Sequence, residues 1–281
     1  MIFGVAAAAA AAVIWGLVIF LYKREMESRD PLVVNFSRLL YTSLLASPAL
    51  ALATPTPGLL AAAASGVVTL VVGDTLYFYA IHKVGGSVAA PIAYTYVVIT
   101  QYFAYLLGES VTAWLAASSI LVVVGVALLT KGGPKALDPL GLAAAAGAAL
   151  TWSLGITAIK LATVGGVHPA AVAYIRALSA AALLGIYLAA TKRLAVVKSK
   201  KFAAASALDL GAGSALFAFS IDYVGLAAAT VIVATSPLVA QTYAKATGTE
   251  PLTPRQALGG VAIFIAVATA VLTQPHMTPS G

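Results

Sequence analysis

The chain contains no cysteine, and charged residues make up only 9% of its 281 positions. Soluble domains carry about 25% charged residues, so the composition excludes an ordinary water-soluble protein. The missing cysteines exclude disulfide bonds, thiol nucleophiles and thiolate metal sites. The three histidines lack metal-ligand spacing, and no Gly-rich loop that could hold a nucleotide phosphate is present. We therefore expect no enzyme activity, no metal or other cofactor, and no ATP-driven pump.

Apolar residues form 61% of the chain and occur in long runs instead of in a stripe along one helix face. About 20 such residues cross a hydrocarbon core roughly 30 Å thick. The first run is followed by Lys23 and Arg24 and has no basic residue before it, so we interpret it as a helix and not as a signal peptide. The predicted fold is all-α, a polytopic membrane protein with ten transmembrane helices: residues 2–22, 31–53, 58–81, 84–108, 110–130, 139–159, 169–190, 202–221, 223–244 and 256–273.

The second half of the chain repeats the first at a shift of 137 to 141 residues. The matched pairs are Trp15 and Trp152, Lys23 and Lys160, Pro31 and Pro169, Arg38 and Arg176, Gly73 and Gly213, Gly85 and Gly225, Gln101 and Gln241, Glu109 and Glu250, and Thr112 and Thr253. We predict one five-helix repeat over 1–130, a linker over 131–138 and a second repeat over 139–281. Five crossings reverse the direction of the chain, so the repeats are inverted. Inverted repeats place the substrate path between the halves, which rock around it.

The net charge of +7 is best assigned to loops at a negatively charged membrane surface, and not to binding of nucleic acid. Thirteen Lys and Arg residues lie in or beside odd-numbered loops, whereas Lys160 alone lies beside an even-numbered loop. Because short cytoplasmic loops are enriched in basic residues, we predict that the odd loops are cytoplasmic and both termini are outside. The expected location is the cell membrane, with the lipid bilayer as the surrounding solvent.

Several short motifs follow one another along the chain: Trp15-Gly16, the stretch from Pro31 to Arg38, the stretch from Gly85 to Pro91, Leu107-Gly108-Glu109 and, more weakly, Thr249-Glu250. With the helix count and the duplication, they resemble the drug/metabolite transporter superfamily, specifically its ten-helix members built from two EamA domains. The resemblance covers nearly the whole chain. It implies a secondary transporter or exporter of small organic solutes, with a central cavity walled by both halves and with helices 5 and 10 more peripheral. It names no substrate.

Four ionisable residues lie inside predicted membrane helices, where charge is costly and usually functional. Arg38, Asp74 and Asp209 each lie seven residues, or roughly 10 Å, from the odd-loop surface. Arg176 lies seven residues from the opposite surface. In the functional interpretation Arg38 contacts an anion, and Asp74 or Asp209 binds a coupling proton. In the structural alternative Arg38 pairs with Asp74, and Arg176 extends toward its interface. We expect Asp74 to face the cavity.

A second set of candidate substrate-binding residues is aromatic or carries an amide: Trp15, Tyr77, Phe78, Tyr94, Gln101 and Trp152. Tyr77 and Phe78 follow Asp74 by three and four residues, which places them near its helix face. Tyr94 and Gln101 share a face of helix 4 at a spacing of seven. Rings with polar tips suit a cavity for an amphipathic solute. The alternative for each ring is packing at the membrane interface or against lipid.

Pro91 in helix 4 and Pro237 in helix 9 interrupt the backbone hydrogen bonding of their helices. They are candidate gating hinges, because freed carbonyl groups and bent helices are common at transporter sites. Simple kinks that neighbouring Ser or Thr side chains satisfy are the alternative.

The sequence thus predicts a secondary transporter of a small polar or amphipathic metabolite, with an amino acid as one candidate, that works by alternating access. An exchanger of organophosphates or nucleotide sugars is the alternative, but Arg38 and Arg176 lie at different depths and would not converge on one phosphate. An intramembrane enzyme would need paired carboxylates or His ligands, and a channel would need a polar stripe along a pore. Neither pattern is visible.

Overall fold

A computed structural model describes residues 1–130, 138–248 and 253–273. The described residues form ten mainly α-helical segments, α1 to α10, and a separate 3-10 helix, and they contain no strand. The segments of the first half are α1 Ile2–Met26, α2 Pro31–Leu45, α3 Gly58–Val84, α4 Gly86–Ala93 with Tyr96–Leu106, and α5 Ala113–Leu129. Those of the second half begin with α6 Pro139–Val164 and α7 Pro169–Ala190 and end with α10 Pro254–Leu272. Between them the helix Lys200–Val233 is divided at Gly225: α8 is the part before Gly225, and α9 is the part after it together with Ser236–Ala246. The predicted linker, except for Asp138, and the motif Thr249-Glu250 lie outside these ranges.

Length and composition identify this as a polytopic membrane protein. Six described helices are long and apolar enough to cross a bilayer: Ile2–Met26, Gly58–Val84, Pro139–Val164, Pro169–Ala190, Lys200–Val233 and Pro254–Leu272. Large apolar side chains such as Leu60, Ile186 and Phe264 are exposed on the outer surface. A continuous apolar exterior of this kind contacts lipid. The predicted all-α membrane fold of ten segments in two inverted halves is confirmed.

Polar residues at the membrane boundary start several helices. Asp30 accepts a hydrogen bond from the Leu32 amide at 2.9 Å and begins α2, and Asp138 accepts one from the Gly141 amide at 2.9 Å and begins α6. The Gly141 hydrogen bond, with a contribution from Lys83, holds the pKa of Asp138 below its usual value. In both helices proline follows the capping residue, where no amide proton is needed.

The two halves make reciprocal contacts. A Cβ atom on Gly73 would lie 2.5 Å from Trp152 Cδ1, and one on Gly213 would lie 2.7 Å from Trp15 Nε1. Each Trp therefore packs on a glycine of the other half, and this is the pattern that a two-fold relation between the halves produces. An ion pair also joins the first half to the end of the linker, since Lys83 Nζ lies 3.7 Å from Asp138 Oδ2 near two odd-numbered loops.

α5 and α10 pack on each other at the side of the molecule. A Cβ atom on Gly125 would lie 2.5 Å from Ile263 Cγ1, and one on Gly259 would lie 2.7 Å from the Gly125 carbonyl oxygen. Small residues allow this close approach of the two backbones. The resemblance implied such peripheral positions for both helices.

Four helices depart from regular geometry at equivalent places. α3 and α8 contain π-helical stretches, Val67–Gly73 and Ala207–Gly213, and α4 and α9 are interrupted at residues 94–95 and 234–235. Pro237 occupies the first turn after the interruption of α9, whereas Pro91 lies one turn before the interruption of α4. The two prolines therefore mark interrupted helices, although they are not themselves equivalent residues.

Several segment boundaries differ from the prediction. α2 ends at Leu45 and is followed by a 3-10 helix, Ser47–Leu52, because Pro48 disfavours α-helical geometry in the residue before it. α6 continues to Val164, so Lys160 belongs to a helix. α8 runs directly into α9, and the chain bends at Gly225 in the left-handed region, with φ of 79°.

Candidate functional site

A cavity of about 530 Å³ lies between the two halves, and every segment except α10 contributes described residues to its wall. Its polar centre contains Arg38, Asp74, Arg176 and Asp209. The volume is in the range of small-molecule sites. Ionisable groups at this depth are costly, so their convergence on one cavity marks the candidate site of the protein.

Arg38 is the centre of a charged cluster. Its Nη2 atom lies 2.6 Å from Asp74 Oδ2, and its Nη1 atom lies 3.5 Å from Asp209 Oδ2. The same Nη2 atom donates to Asn35 Oδ1 at 2.9 Å, and Asn35 in turn donates to the Leu70 carbonyl oxygen at 2.8 Å. One cation therefore faces two carboxylates in a site that is largely shielded from water.

Aromatic donors from α1 and α6 hold the two carboxylates. The Tyr22 hydroxyl donates to Asp209 Oδ2 at 2.8 Å, and Trp152 Nε1 donates to Asp74 Oδ1 at 3.1 Å. Trp15 Nε1 donates to the Asp209 carbonyl oxygen at 3.2 Å, within the π-helical stretch of α8. The equivalent indole groups of the two halves, Trp15 and Trp152, therefore each hold one acidic residue of the site.

Arg176 is the second buried cation of the cavity. Its side chain is on the wall, and the residue is only 4% exposed, so it does not extend to the membrane interface as the structural alternative assumed. Within residues 1–130, 138–248 and 253–273, the structure gives its guanidinium no hydrogen-bond or ion-pair partner, and its Nε atom is buried without one. The two equivalent arginines therefore have different surroundings.

Aromatic rings form the walls beside the charged groups. Tyr77 and Tyr96 pack on Trp152 with ring centroids 4.9 and 5.8 Å away, and Phe217 packs on Trp15 at 5.5 Å. Such offset and edge-on contacts hold the rings in fixed positions. The cavity can therefore hold an apolar or aromatic body next to a charged group.

The cavity extends toward the odd-loop surface. Tyr22, Thr130 and Ala244, near the odd-loop ends of α1, α5 and α9, lie on its wall. Tyr94 of α4 and Ser236 of α9 approach each other across it, with 3.4 Å between their hydroxyl oxygens. The interrupted regions of α4 and α9 thus lie at the cavity itself.

Glu109 joins the two halves on the opposite, even-loop side. Its carboxylate accepts hydrogen bonds from the Leu226 amide at 2.7 Å and the Ala227 amide at 3.0 Å, and Lys160 Nζ lies 3.4 Å from Oε1. These amides belong to the first turn after the bend at Gly225, where helix N–H groups lack intrahelical partners. The contact ties the end of α4 to the start of α9.

Eight of the ten predicted substrate-binding residues line the cavity: Trp15, Arg38, Asp74, Tyr77, Tyr94, Trp152, Arg176 and Asp209. Phe78 is not on the wall, because positions three and four residues after Asp74 diverge around the helix and only Tyr77 points inward. Gln101 is buried between α4 and α9, where its Nε2 atom donates to the Ala227 carbonyl oxygen at 3.2 Å. Asp74 does face the cavity, but in an ion pair and not alone.

Other wall residues were not among the predicted ones: Tyr22, Thr69, Tyr96, Ser214, Phe217, Ser236 and Gln241. Tyr22 follows Trp15 by seven residues and therefore shares its helix face, which was a usable signal. Thr69 and Ser214 could have been found by applying the repeat shift of 140 residues to Asp209 and Asp74. Nothing in the sequence distinguishes Tyr96 from a lipid-facing ring.

An all-helical membrane protein with two inverted halves around a polar cavity has the architecture of a solute transporter. The model of the EamA-like transporter family matches residues 2–131 and 139–272, and the chain belongs to that family. A comparison with curated proteins gives no match. One solved structure, described as "Crystal structure of protein", is similar with a TM-score of 0.77 and 19% sequence identity over 96% of this chain and 97% of the other. That likeness concerns the fold.

Proposed function

We propose that the protein is a secondary transporter that moves a small amphipathic metabolite across the cell membrane by alternating access. The observation that carries this proposal is the cavity between the halves, where a buried cluster of charged groups lies beside aromatic walls. Charged groups bind the polar end of a solute, and the rings bind its apolar body. A solute of amino-acid size fits a cavity of about 530 Å³.

The arrangement also suits a conformational cycle. The Glu109 contact closes the even-loop side, while the wall of the cavity reaches the odd-loop ends of three helices. We expect the interrupted regions near Pro91 and Pro237 to act as hinges when the halves rock, because interrupted helices bend without loss of regular hydrogen bonds. Release on the even-loop side requires the Glu109 contact to break.

The two carboxylates are the candidates for a coupling proton. Arg38 neutralises one of the two charges of Asp74 and Asp209, so protonation of one carboxylate leaves a neutral ion pair. Binding of a proton therefore changes the net charge of the cluster of Arg38, Asp74 and Asp209 from −1 to zero. This supports a transporter driven by a proton gradient.

The charges argue against an exchanger of organophosphates. A phosphate monoester carries nearly two negative charges and favours several cations at one position. Here the positive charge of Arg38 is already matched by carboxylates, and Arg176 is left as one cation. A solute with a single negative group agrees better with this balance.

Uptake into liposomes tests the proposal. The purified chain is reconstituted with an inward proton gradient, and radiolabelled amino acids, sugar phosphates and quaternary amines are presented in turn, with protein-free liposomes as the control. We expect saturable uptake of an amino acid or similar amphipathic solute, and loss of its accumulation when the gradient is collapsed. Ion conductance without solute uptake would refute the transporter function.

A further inference from the structure

The two halves differ at the residues that surround their equivalent arginines. With the shift of 140 residues that holds in α3 and α8, and 138 for the arginines, the equivalent pairs are Arg38 and Arg176, Asp74 and Ser214, and Thr69 and Asp209. Both carboxylates bind Arg38. The positions that correspond to them around Arg176 carry the hydroxyl groups of Ser214 and Thr69. The sequence therefore replaces two anions by two neutral groups on one side of the cavity.

Thr69 lies on the cavity wall with Arg176 and brings no charge to it. Its Oγ1 atom is buried against α6, since a Cβ atom on Gly155 would lie 1.8 Å from it, and it has no hydrogen-bond partner among the described residues. A Cβ atom on Gly66 would overlap the Arg176 carbonyl group, so α3 and α7 are in backbone contact at this point. Arg176 is therefore the charged group that this side of the cavity offers to a ligand.

We propose that Arg176 forms a subsite for the carboxylate of the transported solute. This inference rests on the proposed function, because it assigns one end of the substrate. A guanidinium group binds a carboxylate through two parallel hydrogen bonds. An unpartnered cation in a buried site gains most from an anionic ligand, since burial of a lone charge is unfavourable.

The apolar part of the solute lies against Trp152 and Ile156, which are on the same wall. The Arg38 cluster carries one negative charge in excess when both carboxylates are ionised, so it repels a second anionic group. The solute class is therefore a monocarboxylate with an aromatic or apolar body, and not a dicarboxylate or a phosphate ester.

Binding of two matched probes tests the subsite. The probes are 3-phenylpropionate and its neutral amide, 3-phenylpropanamide, added to the full chain in detergent. Trp15 and Trp152 line the cavity, whereas Trp114 is exposed, so the fluorescence of a Trp114→Phe background reports binding. We expect the carboxylate to bind about tenfold or more tightly than the amide, as one charged hydrogen-bonded contact provides.

Single substitutions test whether Arg176 causes the preference for the carboxylate over the amide. Arg176→Gln should bind both probes equally, whereas Arg24→Gln, which removes an exposed arginine away from the cavity, should keep the wild-type preference. Arg176→Lys keeps the charge but loses the planar pair of donors, so it should retain a reduced preference, and it serves if the Gln variant fails to fold.

Two results would overturn the inference: a wild-type chain that binds neither probe or binds both equally, and an unchanged preference in the folded Arg176 variants. The outcome is separable from that of the uptake experiment. Carboxylate binding at Arg176 without transport would refute the transporter proposal alone. Transport by the wild-type chain, together with an unchanged preference of the Arg176→Gln variant for the carboxylate over the amide, would refute only the subsite.

Discussion

Substitutions of Arg38 and Asp74 should lower the free energy of unfolding by different amounts. The side chains of Arg38 and Asp74 are both 15% exposed, and that of Asp209 is 6% exposed, so the groups are poorly hydrated. Removal of one partner of a buried ion pair costs about 3 to 5 kcal/mol. Asp74→Asn leaves Arg38 with Asp209, so we expect a loss near or below 3 kcal/mol. Arg38→Gln leaves two carboxylates that repel each other, so we expect about 5 kcal/mol.

Reversible denaturation by SDS in mixed micelles measures these losses, with the double variant Arg38→Gln/Asp74→Asn closing a thermodynamic cycle. The double variant should lose less than the sum of the single variants by about 2 to 3 kcal/mol, because each single change removes the same attraction. Additive losses would show that the ion pair does not stabilise the fold. A larger effect of Asp74→Asn than of Arg38→Gln would contradict the expected repulsion between the two carboxylates.

Three further predictions follow from the bend, the cluster and the sidedness. Gly225→Ala should lower the free energy of unfolding by about 1 to 2 kcal/mol, because φ is 79° and the new Cβ would lie 2.9 Å from a Glu109 oxygen; Gly86→Ala, with no atom within 4 Å, is the control, and equal effects in SDS titrations would contradict the strain. Tyr22→Phe should cost about 1 kcal/mol in the same titration through loss of the Asp209 hydrogen bond, and an unchanged midpoint would argue against that bond. Because the chain lacks cysteine, Lys198→Cys should resist an impermeant thiol reagent in intact cells while Thr54→Cys reacts, and the reverse pattern would invert the predicted topology.

The membrane made the fold predictable from the sequence. Every crossing needs a long apolar run with its backbone satisfied internally, so runs and charged boundaries could be counted directly. The bend at Gly225 was harder, because a left-handed glycine joins α8 to α9 without a loop. The predicted end of α2 at residue 53 is wrong, because Pro48 ends the α-helix after Leu45.

The candidate site was only partly predictable. Depth along a helix placed Arg38, Asp74 and Asp209 at one level, and they do meet. Depth does not specify which way a side chain points, and a π-helical stretch such as Val67–Gly73 changes the helix register in a way that composition does not reveal. Pairings between distant helices, such as the Tyr22 hydroxyl with Asp209, depend on tertiary packing and have no local signal.

The placement of the two carboxylates has a consequence for how such a chain can diversify. In a symmetric dimer of two identical five-helix chains, an aspartate introduced at one position would appear in both subunits, and each arginine would receive the same partner. The fused chain escapes this constraint, since Asp74 and Asp209 come from different halves and non-equivalent positions yet meet at Arg38. Covalent fusion therefore lets single substitutions turn a symmetric cavity into a dipolar one, with opposite ends that recognise different chemical groups.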